Sequence, residues 1–361
     1  MRRPGRVVAL FLLLAGVALA LLPWPAALVE RVYLGALLPA WTAVSAPVVD
    51  TVGFSVSGVV LILLVCVPLA WLLAAGRRAL RGVLSMWGAA GLVLLLLFSL
   101  TFGLAYRLPG VAEREGLMAE SLTAEARGAL ELRVLELLTS SSAWSRGGPA
   151  AASNAVDRAD LHAGAARCVA RLATDLRAEF GPATLPQRVK LLPAGLMLRF
   201  GFAGITLPWL LEPHVDAGLA PVSALGVALH ELAHSAGYAA EAEAEAVGLV
   251  AGLECEDQRV VYAAALRLAG SMAAALPADE RQAFMAQWPA AAHADVRAAD
   301  RATRRFEDPR LTRGATAAYD LYLRSQGEEG GMAEYDRGTQ LALLLFHARH
   351  LAPLAPAAPA P

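Results

Sequence analysis

Within ALHELAHSAGYAAEAEAEAVG, residues 228–248, His230 and His234 stand four apart and Glu231 directly follows the first. On a helix the two imidazoles lie one turn apart on one face, so both reach a single tetrahedral metal ion. Glu231 then falls beside the metal rather than on it. There it can take a proton from water and return it to a leaving amine. H-E-x-x-H on a helix is the arrangement of a zinc peptidase, with Zn2+ the expected cofactor. A chance match at this chain's histidine and glutamate frequencies is expected on the order of once in a hundred. Pro221 before the motif and Gly237 after it mark the ends of the helix.

A third ligand is required, and three glutamates compete for it. Gly237 permits a chain reversal, after which AAEAEAEAVGLVAGL reads as a second helix. Glu241 and Glu245 share one of its faces, whereas Glu243 points about 200° away from Glu241. One of the first two could bind the metal while the other holds a ligating histidine by its second ring nitrogen. The bland reading of such a run is a solvated acidic face. Against it, nine acids and no Lys or Arg lie between Arg199 and Arg259, a repulsive set unless a cation or solvent offsets it. Two further residues are candidates for the cleft: Tyr238 as a donor to an oxyanion, and His214 in the segment before the motif helix. LEPHVD, residues 211–216, is a candidate edge strand for pairing an extended substrate. Tyr319, Tyr322 and Tyr335 read as core or interface tyrosines.

The elements that must position these residues start in a membrane. The chain has 361 residues, 57% of them hydrophobic and only 17% charged, with a mean hydropathy of +0.49. That is too apolar for an ordinary soluble chain, whose charged fraction is nearer ~25%. Three charge-free stretches carry the excess: Val7–Leu22, Phe54–Ala75 and Val83–Tyr106. They are expected to cross the bilayer, the first as an uncleaved anchor. Arg2, Arg3 and Arg6 precede the first span, and Arg77, Arg78 and Arg81 fill the turn between the other two, so both clusters belong on the cytoplasmic side. Residues 23–53 then form a loop outside, and everything after Tyr106 is extracytoplasmic.

The expected fold is therefore mainly α. Residues 1–106 form a membrane domain of three helices. Residues 107–351 form a mostly helical, zincin-like domain with a small β-element before the motif helix, and residues 352–361 are a disordered Pro/Ala tail. Three cysteines are too few for a disulfide framework, leaving Cys168 and Cys255 as one candidate pair.

Most of the chain resembles the DUF3810 family of bacterial membrane proteins. The resemblance takes in the three apolar stretches, FGLAY closing the third, GITLPWLLEPHVD, HELAHSAGYAAEAEAEA and the late YDLYLRSQGEEGGMAEYDRG. It implies a zinc metallopeptidase of the HExxH class in the inner membrane. The family usually continues into an E-x-E-A-N type motif. Here Glu241, Glu243 and Ala244 match it, and Glu245 stands where Asn is usual. The run is also similar to the E-x-x-A-D motif of membrane-linked gluzincins. That likeness implies Glu241 as the zinc-binding glutamate, with Glu245 at the aspartate position.

The leading expectation is hydrolysis of a protein or peptide substrate at a bilayer-anchored zinc site, with Glu231 as base. A net charge of −1 gives no ground for nucleic-acid binding. The alternative is a non-catalytic, zinc-stabilised scaffold or sensor, in which Glu243 or Glu245 would close a fourth coordination position. A protease with its site within the bilayer is disfavoured, because the acids around the motif would be expensive in hydrocarbon.

Overall fold

Apolar patterning near the N-terminus builds three helices long and apolar enough to cross a membrane. They are α1 (Ala26–Thr51), α2 (Val56–Ala75) and α3 (Leu80–Phe98), the last continued by a π-turn over Ser99–Gly103. The computed structural model describes residues 24–117, 122–147, 155–328 and 334–351. The expected span Val7–Leu22 and the tail from 352 lie outside the described residues.

α1 corrects the expectation of a loop over residues 23–53. Val29 and Tyr33 are buried before and within a π-turn over Tyr33–Leu37, and Thr42, Ser45, Ala46 and Val49 are buried after it, each set at spacings of three or four, while Leu28, Val32, Val44 and Val48 are exposed. Both faces are apolar, so the period that would announce a docked helix is invisible in composition. Each end is tied to the rest of the protein. The Tyr33 hydroxyl donates to the Thr101 carbonyl at 2.6 Å, and the Asp50 carboxylate accepts from the Gln187 and Arg188 backbone amides at 2.9 and 3.0 Å. Lys190, 2% exposed, donates from Nζ to the Val49 and Val52 carbonyls.

α2 begins on the same scaffold. Ser55 caps it by accepting from Gly58 N, and the buried Glu212 carboxylate accepts from Val56 N and Ser57 N at 2.9 and 2.8 Å. An anion at the positive end of a helix satisfies amides that have no intrahelical partner. Gly76, with φ of +59°, ends α2 where most residues would be strained, and α3 returns antiparallel toward the domain.

Glu212 belongs to a three-stranded sheet of β1 (Lys190–Leu192), β2 (Gly204–Leu207) and β3 (Glu212–Asp216), in the order β1-β3-β2. β3 pairs parallel with β1 and antiparallel with β2, with Ile205 opposite His214. LEPHVD is thus the central strand, and β1 and β2 are the edges. Glu212, His214 and Asp216 alternate along this strand with Pro213 and Val215, yet all three are fully buried and hydrogen-bonded. Asp216, for example, accepts from Gly195 N and Met197 N, both at 2.8 Å.

Helices make up the remainder: α4 (Ala124–Ser141), α5 (Ala155–Leu176), α6 (Pro221–Ser235), α7 (Glu241–Leu253), α8 (Gln258–Ala275), α9 (Ala278–Met285), α10 (Ala290–Arg304), α11 (Pro309–Ser325) and α12 (Glu334–His350). α6 and α7 sit at the centre of the core, with every residue of 225–235 and 244–253 buried. A disulfide between Cys168 and Cys255 joins α5 to the segment after α7.

α6 and α7 approach closely because α7 is made of small residues. A Cβ on Gly248 would lie 2.8 Å from the Leu229 carbonyl oxygen and 3.0 Å from the His230 amide nitrogen. The obstacle is backbone, so an added methyl must push the helices apart. Gly248→Ala should destabilise the protein by about 1–3 kcal/mol, as overpacked cores do, despite the higher helix propensity of alanine. Denaturant unfolding of the two proteins in the same detergent checks this, and an unchanged midpoint would contradict the packing described.

Candidate metal centre

α6 carries His230, Glu231 and His234 with Pro221 at its first position and ends at Gly237, whose φ is +85°. That left-handed residue turns the chain so that α7 starts with Glu241 facing back onto α6. One ligand atom from each of His230, His234 and Glu241 lies within 4.8 Å of the others, and all three residues are buried. His230 Nε2 stands 3.2 Å from Glu241 Oε2, and His234 Nε2 stands 3.6 Å from Glu241 Oε1.

The outer ring nitrogens are already engaged, which aims the inner ones. His230 Nδ1 is 3.0 Å from Glu245 Oε2, and His234 Nδ1 is 2.8 Å from the Tyr238 carbonyl. Glu245 in turn accepts two further hydrogen bonds from Arg267, both at 2.7 Å, a bidentate pair. A carboxylate or carbonyl behind each imidazole is the usual support of a metal-ligating histidine. Glu245 therefore stands behind the centre, not in it. Glu243 points the other way and accepts from Val111 N at 2.8 Å.

The electrostatics couple these groups tightly. Glu241 is 1% exposed, and its Oε2 is a buried oxygen without a hydrogen bond. Burial pushes its carboxyl up, but the His234 and His230 imidazoles outweigh that and hold it well below the usual carboxylate range. Burial opposes charge on His230, yet Glu241 and Glu245 together carry its pKa up to about 10. Two imidazole nitrogens and a carboxylate whose Oε2 lacks a hydrogen bond are a donor set suited to Zn2+, for which His230 would exchange its proton. Among the described residues no fourth His, Cys, Asp or Glu joins them.

Glu231 faces the same space. It is 5% exposed, burial pushes its carboxyl up, and Thr206 of β2 donates to its Oε2 at 2.9 Å. Gly204, also on β2, must lack a side chain here, since a Cβ would lie 2.7 Å from Glu231 Oε1. Together Glu231, His230, His234 and Glu241 line a cavity of 410 Å³ with the edge strand β2 along one side.

The other candidates fall elsewhere. Tyr238 is 1% exposed, its hydroxyl has no hydrogen bond, and its ring lies 3.7 Å beneath the Arg177 guanidinium, away from the cavity. His214 is fully buried in the central strand, with Nε2 2.7 Å from Ser55 Oγ, so it braces the start of α2 instead of lining the cleft. Tyr319 and Tyr322, expected in the core or an interface, line the cavity, and Tyr319 donates from its hydroxyl to Glu241 Oε1. The side chain of Tyr335 lies outside the described residues.

The unpaired acids of residues 200–258 are also resolved, in a way their local sequence does not show. Glu212, Asp216 and Glu243 accept backbone amides. Glu245, Glu254, Glu256 and Asp257 meet Arg267, Arg349, Arg171 and Arg259 respectively. Glu231 and Glu241 remain as the pair facing only imidazoles and hydroxyls.

A family model described as protein of unknown function (DUF3810) matches residues 33–343, which takes in every residue of this centre. No curated protein and no solved structure matches the chain.

Proposed function

This chain belongs to the DUF3810 family, a name that assigns no activity, and we propose its function from the centre itself. We infer a membrane-anchored zinc metallopeptidase with a zincin-like catalytic domain, in which His230, His234 and Glu241 hold the metal. The observation that carries this reading is the convergence of those three buried ligands beside Glu231 in one cavity. Zinc, when bound, supplies Lewis acidity that polarises a peptide carbonyl and makes water a nucleophile near neutral pH. Glu231 takes the proton of the attacking water and passes it to the departing amine nitrogen. Thr206 holds the Glu231 carboxylate in place by donating to Oε2. Tyr319 presents a hydroxyl to the developing oxyanion. A purely structural zinc would be closed by four protein ligands; the engagement of Glu243 and Glu245 elsewhere weighs against that scaffold reading.

Two features support an extracytoplasmic domain at the cytoplasmic membrane. The Cys168–Cys255 disulfide suits an oxidising compartment. Arg77, Arg78 and Arg81 lie at the end of the α2–α3 hairpin remote from the domain, where the positive-inside rule places the cytoplasm.

Zinc content of the purified full-length protein tests the centre. Near-stoichiometric zinc is expected in the wild type and in Glu243→Ala, with loss in His230→Ala and Glu241→Ala. Glu245→Gln, which weakens the support behind His230, should lower zinc affinity about 10–100-fold without abolishing binding. A folded wild-type protein that takes up no zinc when the metal is supplied would rule the reading out.

A further inference from the structure

Part of the cavity wall is contributed by the membrane hairpin. Phe98 and Phe102 line it, and both belong to the 24-residue apolar helix that runs from Leu80 to Gly103. The Phe102 ring centroid is 5.6 Å from that of His234. The turn after β2 runs down the same helix: Thr101 Oγ1 donates to the Pro208 carbonyl at 2.8 Å, and Trp209 Nε1 donates to the Leu94 carbonyl at 3.2 Å. Twenty-four helical residues cover about 36 Å against a hydrocarbon core of about 30 Å. Phe102 therefore sits near the edge of the hydrocarbon, and Leu94 lies roughly two turns farther in.

The chemistry of the surroundings agrees with this depth. Phe98, Phe102, Met197, Phe202, Leu207 and Trp209 line the cavity, and among the described residues the only carboxylates or bases on it besides the histidines are Glu231 and Glu241. It offers no other charge with which to recognise a charged, water-soluble peptide. Leu196, Phe200, Ile205 and Leu321 are exposed, by 47%, 38%, 37% and 71%, on β2, the turns before it and α11. The outward face of α1 is likewise apolar at Leu28, Val32, Val44 and Val48.

From this placement we propose that the substrate is a membrane-anchored polypeptide, cut within a few residues of the bilayer surface on the side of the catalytic domain. The proposal rests on the peptidase reading above and on α2 and α3 crossing the membrane. β2 sets the distance. Its start, Gly204, lies against Glu231, and its end runs through Leu207 into Pro208 and Trp209, which are bonded to α3. A chain extended beside β2 advances about 3.3 Å per residue. It thus joins the catalytic groups to the membrane side of the cavity in roughly three to six residues.

The test uses the full-length protein with zinc, reconstituted in phosphatidylethanolamine and phosphatidylglycerol liposomes. One probe is a Leu/Ala-rich membrane-spanning helix of about 20 residues followed by a mixed-sequence hydrophilic tail. The other is the same tail without the helix. Glu231→Gln, with its zinc content verified, is the control, and cut positions are read by mass spectrometry. The expected result is Glu231-dependent cleavage of the tethered probe within about six residues of the helix end. It should run at least about tenfold faster than cleavage of the free tail, because anchoring raises the local concentration. Equal rates on the two probes, or cuts spread evenly along the tethered tail, would overturn the membrane-substrate proposal and leave the peptidase intact. Absence of Glu231-dependent cleavage in either probe, from zinc-loaded protein, would overturn the peptidase reading itself.

Discussion

Glu231→Gln should keep its full complement of zinc and lose peptide hydrolysis by about 10²–10⁴-fold, the usual contribution of a positioned general base. The substitution isolates the chemistry because it preserves shape. Glu231 sits where one carboxylate oxygen is nearly in contact with the Gly204 backbone and the other accepts from Thr206 Oγ1 at 2.9 Å. An amide of equal size fits that slot and can still accept from the threonine, so the edge strand stays in place. What the amide cannot do is hold a proton between water and a leaving amine. None of the three candidate ligand atoms comes from Glu231, so the substitution should leave zinc content unchanged. Zinc content and turnover measured on the same preparation separate the two effects. Undiminished turnover in Glu231→Gln would sink the mechanism even if zinc were present.

What was legible in the sequence follows the range of the interactions concerned. His230, Glu231 and His234 are fixed by a spacing of one helical turn, so their common face could be read before any fold was known. The same period put Glu241 and Glu245 together and turned Glu243 away, and the structure shows that division: Glu245 on Arg267, Glu243 on Val111 N. Which of the first two faces the histidines was not in the spacing. It depends on how closely α7 packs on α6, which in turn depends on Gly248 meeting the Leu229 and His230 backbone. Arg267, Thr206 and Tyr319 reach the centre from α8, β2 and α11, and no local pattern marks such contacts. The acid count pointed to a cation for a partly mistaken reason, because most of those acids find arginines or amides beyond the counted interval. α1 and β3 were misread for opposite reasons. The first hides a docked face inside uniform apolarity, and the second hides a buried strand behind three polar residues, each satisfied by a distant partner.

Tyr319→Phe should lower kcat about 10²-fold while leaving zinc content and KM little changed, and Tyr238→Phe should leave turnover within about twofold. The two tyrosines exchange the roles that sequence position suggests. Tyr238 follows the motif directly, but its hydroxyl is buried without a partner and its ring is committed to Arg177. Removing an unsatisfied buried hydroxyl costs little and can stabilise. Tyr319 is far along the chain, yet its ring is held between Phe202, 5.2 Å away at a steep angle, and Tyr322, stacked at 5.7 Å. That clamp fixes the ring and leaves the hydroxyl directed at the centre, where it donates to Glu241 Oε1. A hydroxyl that reaches a ligand oxygen also reaches the space in front of the ligands, where the oxygen of a substrate carbonyl gathers charge. Its one proton, held by Glu241 Oε1 in this structure, reaches a substrate oxygen by a short rotation of the O–H bond about a fixed ring, so loss of this donor falls on kcat. The competing role for Tyr319 is to orient Glu241. In that case Tyr319→Phe would weaken zinc binding and recover full turnover at saturating metal, and the assignment to the oxyanion would be wrong.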